Sequence, residues 1–449
     1  MRNIFFVLAI TFACVATSIA QTRSKLGTIT SEMVKEEFLH AWNGYKQYAW
    51  GHDALKPLTK QPHDWYGTSL LMTPVDAFDT MVLMGLKKES EEAKKLIFDS
   101  LSFNKNIDVQ CFEVTIRLLG GLLSAYQLDG DKRFLILAED LGKRLLPVFN
   151  SPTGMPYRYV HLQTRAVQKP NNNPAEIGTL LIEFGTLSKL TGDSIYYQKA
   201  KNALVQLYNR RSPIGLVGSW INVETGKWTN TSSHVGGGID SYYEYLVKAW
   251  ILFGDKECKT MADESMKAIN LYVADSIRSG FWYGQVDMNT GKRTGTTFGS
   301  LEAFMPALLC LTNDISRAKK VQQSCYTMWN LYNIEPEEIN YATMNVTSKE
   351  YVLRPEIIES AYYLYHYTGD VQYCKIGEKI YRDLVHYCRN DVGYASLKNV
   401  ITKEKSDEME SFFFAETMKY LYLLLEPSGT LSLDSVVFNT EAHPIRKTW

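Results

Sequence analysis

Five short turns of one kind divide this chain at near-regular intervals. They are Asp129-Gly130-Asp131, Thr191-Gly192-Asp193, Phe253-Gly254-Asp255, Thr312-Asn313-Asp314 and Thr368-Gly369-Asp370, and their closing aspartates lie 62, 62, 59 and 56 residues apart. Each turn separates an apolar helical pattern from an amphipathic one. Glycine ends a helix in the left-handed region without steric cost, and aspartate accepts hydrogen bonds from the free N–H groups of the next first turn. The repeating unit is therefore helix, tight turn, helix, and a period near 60 residues restricts the fold to arrays of helical hairpins.

Apolar period and caps predict helices at 31–48, 73–86, 89–102, 110–127, 131–146, 174–191, 193–210, 239–253, 255–276, 299–312, 314–333, 354–368, 370–387 and 407–425. In each hairpin the first helix is apolar nearly all round, as in 112–126, and the second carries one apolar stripe, as in 199–210. A helix apolar all round lies inside and a striped one outside. The expected architecture is all-α: an (α/α)7 barrel of seven helical hairpins, with small β-hairpins in the loops. A linear solenoid of helix pairs competes, but the contrast between inner and outer helices favours closure. The turns Glu224-Thr225-Gly226 and Asn289-Thr290-Gly291 suit hairpins, pairing 215–221 with 226–229 and 280–287 with 291–296, and a strand is expected at 435–438.

Residues 1–20 read as an export signal: Arg2, an apolar stretch from Ile4 to about Ala16, and Ser18-Ile19-Ala20 before Gln21. An uncleaved anchor, or lipid attachment at Cys14, is the minor alternative; no other window is apolar enough for a stable membrane span. No linker cuts residues 21–449, which are expected to form one domain. A periplasmic or extracellular location is expected, or the ER lumen in a eukaryote. Asn230-Thr231-Ser232 and Asn345-Val346-Thr347 are glycosylation sequons in a host that glycosylates. Cys111, Cys258, Cys310, Cys325, Cys374 and Cys388 include no closely spaced pair, which argues against a thiolate zinc site. Disulfides Cys310–Cys325 and Cys374–Cys388 are candidate pairings, with buried thiols equally open. A formal net charge of −1 gives no electrostatic case for nucleic acid, and the expected state is a monomer.

The acidic residues are where chemistry enters. Glu113, Glu176, Asp240 and Glu356 precede the closing aspartates of their hairpins by 18, 17, 15 and 14 residues. A carboxylate in a first helical turn has an ordinary explanation in the helix dipole. That explanation covers any one of these residues but not their recurrence on apolar helices, where unused charge is penalised. In a closed barrel the helix starts converge, so a pocket ringed by Asp76, Glu113, Glu176, Asp240, Glu302, Glu356, Glu359, Glu410 and Glu416 is expected. Arg117 and Arg354 would supply counter-charge, and Phe112, Phe412, Tyr242 and Trp220 aromatic surface. Such a ring suits hydrolysis of a glycosidic bond or a hard cation.

Six blocks then carry a resemblance: 69–80 (SLLMTPVDAFDT), 112–126 (FEVTIRLLGGLLSAY), 238–246 (GIDSYYEYL), 353–360 (LRPEIIES), 410–417 (ESFFFAET) and 438–444 (FNTEAHP). Together, across 32–446, the sequence resembles the class I α-mannosidases, glycoside hydrolase family 47. The resemblance implies an (α/α)7 barrel, calcium (Ca2+), and inverting release of terminal α-1,2-linked mannose from a mannose-containing oligosaccharide or N-glycan. It implies Glu113 as general acid, through a water, Glu356 as base, Asp240 as a third carboxylate of debated role, and Thr440 as calcium ligand. Arg117, Glu176, Arg354, Pro355, Glu359, Phe412, Glu416 and Glu441 match residues lining the mannose subsite. Where processing members carry a His-Leu-x-Cys-Phe block this chain has Ser300-Leu301-Glu302-Ala303-Phe304. That block looks more like the ER-degradation-enhancing branch, in a form resembling bacterial exported members. It leaves linkage and branch preference open; a non-catalytic glycan-binding protein is a separate alternative, against which the intact Glu113, Asp240 and Glu356 speak.

Overall fold

The computed structural model describes residues 28–426 and 429–448; the expected export signal and Cys14 lie outside these residues. Every closing aspartate does what its spacing predicts. Asp131, Asp255 and Asp314 accept from the N–H groups of Arg133, Cys258 and Arg317, and Asp193 and Asp370 from those of Ile195 and Gln372. Gly130, Gly192, Gly254 and Gly369 adopt φ of 87°, 79°, 68° and 65°, and Asn313 takes φ 63° in the fourth turn.

Among the described residues, seven inner segments form the first ring. They are Met72–Asp76 with Phe78–Leu83, Cys111–Glu113 through Gly120–Asp129, Pro174–Gly178 with Leu181–Thr191, Asp240–Phe253, Leu301–Phe304 with Met305–Leu311, Glu356–Thr368, and Phe413–Thr417 with Met418–Leu425. Each packs on the next, and Phe78–Leu83 packs on Phe413–Thr417, so the ring closes and the solenoid is excluded. The outer ring is Lys87–Ser100, Lys132–Leu145, Ile195–Tyr208, Lys256–Tyr272, Ile315–Asn330, Gln372–Tyr387 and Ser31–Tyr48. Six hairpins are contiguous in sequence. The seventh pairs the first described helix with the last, Ser31–Tyr48 against Met418–Leu425, with Phe38 and Trp42 edge-on to Phe414.

Several inner helices are not the single rods expected. The 174–191 helix breaks at Thr179–Leu180, and 73–86 divides at Ala77. Val114–Leu119 and Phe413–Thr417 are π-helical turns, a wider winding that re-aims side chains and often accompanies functional sites. The helix expected at 354–368 starts two residues late, at Glu356, with Pro355 as its N-cap.

Small antiparallel sheets precede the inner helices. Trp220–Asn222 pairs with Lys227–Asn230, with Ile221 opposite Trp228. Gly280–Tyr283 turns instead onto Ala274–Ile277, while Gln285–Asp287 pairs with Arg293–Gly295. Thr297–Gly299 pairs with Glu338–Asn340.

Of the two alternatives for the cysteines the free thiols hold: all six described cysteines are free, and neither candidate disulfide forms. Cys310 lies among Tyr367 and Tyr373, whereas Cys325 lies toward Glu302 and Glu335. The Cys374 thiol meets the Leu424 carbonyl at 3.7 Å, while Cys388 lies toward Lys403 and Lys405. The thiols point into separate helix contacts.

The last element is a buried hairpin, Val436–Phe438 with Pro444–Arg446, packed against the inner helices Asp240–Phe253 and Gly120–Asp129. Gly120 and Gly121 make room for it: a Cβ on the first would lie 2.5 Å from the Asn439 amide, and on the second 3.2 Å from the His443 ring. Such glycines weaken a helix interior, and here they permit close approach. Asn439 ties down the turn. Its amide donates to the Ile116 carbonyl and to Glu183 Oε1, both at 2.8 Å, and its oxygen accepts from the N–H groups of Glu441 and His443. His443 sits between Asp79 (2.7 Å) and Asp76 (3.3 Å), and Lys419 bridges Asp79 (2.8 Å) and the Ala442 carbonyl (2.6 Å). Asp76, Asp79, Lys419 and His443 are all fully buried. Burial by itself would lower the proton affinity of His443, but Asp79 and Asp76 outweigh it and push its pKa up to about 9.

Removing one partner of a buried charge cluster strands the other. Lys419→Met should destabilise the protein by about 3–5 kcal/mol, and Lys419→Met with Asp79→Leu should recover part of that; denaturant titration measures both. Stability owed to His443 should be fully present below pH 6.5 and disappear as the pH rises through about 9, a loss that His443→Gln should not show.

Candidate active site

The inner-helix starts open into one cavity of about 1060 Å³. Glu113, Arg117, Glu176, Asp240, Arg354, Pro355, Glu356, Glu359, Phe412, Glu416, Thr440 and Glu441 all line it. Residues scattered over more than 300 positions of sequence thus meet because the ring closes.

Arg117, on the first π-helical turn, donates from Nε to Glu113 at 3.0 Å and contacts Glu441, with Asp76 behind it at 3.7 Å. Its guanidinium lies over Trp65 (5.1 Å) and Phe412 (5.7 Å), and Arg354 shares the Phe412 ring at 6.0 Å. Glu176 is fixed in its helical first turn by Asn173, which accepts from its N–H at 2.9 Å and donates to its carboxylate at 2.8 Å. Arg158 completes that shell at 2.8 Å, lying over Trp220. Asp240 opens its helix and accepts from the Ser241 N–H at 2.7 Å.

Leu353, just before the opposite helix, holds a left-handed φ of 65°. This conformation is costly for a bulky residue, and the Thr417 hydroxyl secures it by donating to the Leu353 carbonyl at 2.6 Å. Arg354 then forks onto Glu337 at 2.5 and 3.2 Å, and Glu356 and Glu359 follow. The hairpin turn delivers Thr440, whose N–H donates to Tyr245 at 3.3 Å, and Glu441.

Eleven carboxylates and three arginines line the cavity. Burial is the main cause of the shifts that follow. It pushes Asp240 and Glu302 up to about 7, and Glu356 likewise to about 7 against the pull of Arg354. Glu359, Glu416 and Glu441 are also raised, by burial and then by one another and their acidic neighbours, with Lys248 opposing at Glu359 and Arg117 at Glu416 and Glu441. Such crowding favours a hard cation with oxygen ligands. Among the described residues no three His, Cys, Asp or Glu side chains converge to chelate an ion directly.

Three expected members stand elsewhere. Asp76 ends the short Met72–Asp76 helix rather than starting one, and it lies buried beneath the floor on Ser411 and His443. Glu410 precedes its helix and falls outside the lining. Tyr242 is packed in the core against Tyr243. The sequence reading missed Arg158, Glu337 and the buried Glu244–Lys248 pair. The pair had a signal, an acid and a base four apart on an apolar helix. The two others are loop residues whose partners the chain path selects.

The model of the family described as glycosyl hydrolase family 47 matches residues 37–447. The human ER degradation-enhancing alpha-mannosidase-like protein 2 is 38% identical over 449 residues, covering 92% of this chain and 77% of that protein. The mannosyl-oligosaccharide 1,2-alpha-mannosidase MNS1 of Arabidopsis thaliana is 38% identical over 443 residues, covering 92% and 78%. Among solved structures, the alpha-1,2-mannosidase from Trichoderma reesei superposes with a TM-score of 0.85 at 27% identity, covering 94% of this chain and 100% of its own.

Asp240 carries a proton up to about pH 7 in the fold against a usual 3.8, and Glu356 against 4.5. Groups raised in this sense stabilise below their usual pKa, and the stability is lost as the pH rises through the folded value. The thermal midpoint of metal-free protein should fall between pH 5 and 7, and Glu356→Gln should flatten that slope.

Proposed function

The chain belongs to glycosyl hydrolase family 47, and from that premise we propose that it is a calcium-dependent, inverting exo-α-1,2-mannosidase acting on mannose-containing glycans. As a glycoside hydrolase it must protonate a leaving oxygen and activate a water. The observation that carries the reading is the meeting of Glu113, Asp240 and Glu356 in one cavity from three non-adjacent inner helices. Glu113 and Glu356 stand three helices apart in a ring of seven. Acid and base on opposed walls leave room for a water between sugar and base, the arrangement of inversion.

Glu356 is the base. A pKa near 7 suits a group that is ionised at working pH and still takes a proton from the attacking water. Arg354, braced by Glu337, stands beside it as counter-charge. Thr440 would hold calcium through its hydroxyl and carbonyl, and bound calcium orients sugar hydroxyls and the attacking water and offsets the ring of carboxylates. Phe412, Arg117, Glu176, Pro355, Glu359, Glu416 and Glu441 would shape the mannose subsite.

The leaving-group proton has two candidate donors. The resemblance of the 112–126 block implies Glu113, acting through a water. A second reading is favoured by the charges: Arg117 pairs with Glu113 at 3.0 Å, whereas burial keeps Asp240 protonated to about pH 7. Export is proposed with the reading, and among the described residues no helix is long and apolar enough to cross a membrane.

The purified protein should release mannose from α-1,2-mannobiose, with the β anomer appearing first by proton NMR. Glycan binding without release would leave a binding protein, and release from α-1,3 or α-1,6 substrates alone would change the linkage. Chelation should abolish turnover and calcium restore it. Glu356→Gln should slow hydrolysis by about 10²–10⁴-fold with sugar still bound. Replacing the true proton donor, by Glu113→Gln or Asp240→Asn, should cost far less on α-mannosyl fluoride, whose leaving ion needs no proton, than on mannobiose.

A further inference from the structure

Glu335 is fully buried outside the cavity lining, and neither of its carboxyl oxygens has a hydrogen-bond partner. Buried polar atoms are almost always satisfied, so this double exception calls for a cause. It does not stand alone: Oε2 of Glu356 is also buried and without a partner.

The two residues sit on segments cross-linked at matching positions. Glu337, two residues after Glu335, forks onto Arg354, two residues before Glu356. The Glu337 N–H donates to the Glu350 carbonyl at 2.7 Å, and its carbonyl accepts from the Ser300 N–H at 3.0 Å. The segment carrying Glu335 is thus pinned behind the wall that presents Glu356. Of the charges around Glu335, Glu356 acts on it most strongly, then Glu337, with Arg354 opposing. Tyr351 and Cys325 are the other titratable groups facing Glu335, and the Tyr351 hydroxyl donates to the Arg354 carbonyl at 3.3 Å. On its cavity side Glu356 faces Arg354, Glu337, Asp240, Glu359 and Glu416.

A buried carboxyl group among carboxylates keeps its proton and is then a donor. We propose that Glu335 is a positioning residue for the base: through buried water its protonated carboxyl donates a hydrogen bond to Oε2 of Glu356. That bond fixes the carboxylate, leaves Oε1 free for the attacking water, and stabilises the ionised base without adding charge. The role rests on Glu356 being the base of the proposed mannosidase.

The test compares Glu335→Gln, a neutral donor of the same shape, with Glu335→Leu, which removes the donor. The thermal midpoints of both variants, read alongside the kinetics, establish that each is folded at the assay temperature. Glu335→Leu should lower kcat on α-1,2-mannobiose about ten- to hundredfold with KM little changed. It should also move the acidic limb of the rate profile to higher pH, and Glu335→Gln should restore both. Wild-type kinetics in Glu335→Leu, or an equal loss in the two variants, would overturn the role. Infrared spectroscopy gives a reading independent of turnover. The wild type at pH 7 should show a protonated-carboxyl band that is absent in both Glu335 variants and shifted in Glu356→Gln. An inactive wild type with that shift would sink the mannosidase reading but keep the contact, whereas a band unmoved by Glu356→Gln would sink the contact.

Discussion

The cavity depends on a buried charge cluster that contributes little to its surface. Lys419 and His443 neutralise Asp79 and Asp76 beneath the floor. Taking each of these ions out of water costs several kcal/mol before pairing returns it. The pairing is complete only when the last hairpin lies inside the ring, because His443 belongs to the hairpin and Lys419 to the last inner helix. The cluster therefore ties closure of the barrel to insertion of the hairpin, and insertion sets Thr440 and Glu441 in the cavity. Arg117, reached from Asp76, carries the arrangement on to Glu113.

Around that anchor the backbone departs from regular helix where the cavity needs it. The two π-helical turns carry Arg117 and Glu416, and left-handed Leu353 and Ala442 precede Arg354 and follow Glu441. Each of the left-handed residues has its carbonyl held by a side chain of the last inner helix or its π turn, Thr417 for Leu353 and Lys419 for Ala442. Strain of this kind persists only where surrounding contacts over-determine it. One helical segment thus braces both walls of the site.

The electrostatics of the cavity follow from the same geometry. Burial raises the proton affinities of Asp240, Glu302 and Glu356, and the neighbouring carboxylates that closure brings near add to the rise. A glycosidase requires proton exchange near neutral pH, and carboxyl groups raised to about 7 are suited to it.

The sequence alone determined the architecture and most of the candidate site. The Gly-Asp turns recur because a left-handed cap and an aspartate at the next helix start are local devices, readable within four residues; all five aspartates accept from the next first turn, Asp131, Asp255 and Asp314 as the N-caps themselves and Asp193 and Asp370 from one residue earlier. The inner and outer rings were legible from apolar patterning, and the acids at the inner-helix starts from their recurrence on apolar helices. Tertiary structure decided what depends on partners distant in sequence. It turned Asp76 under the floor, left Cys310, Cys325, Cys374 and Cys388 as separate thiols, joined the first described helix to the last, and selected Glu337 for Arg354. A local pattern fixes which face of a helix is apolar. Which charge meets which, and which carboxyl is left without a partner, is settled only when the ring closes and water is excluded.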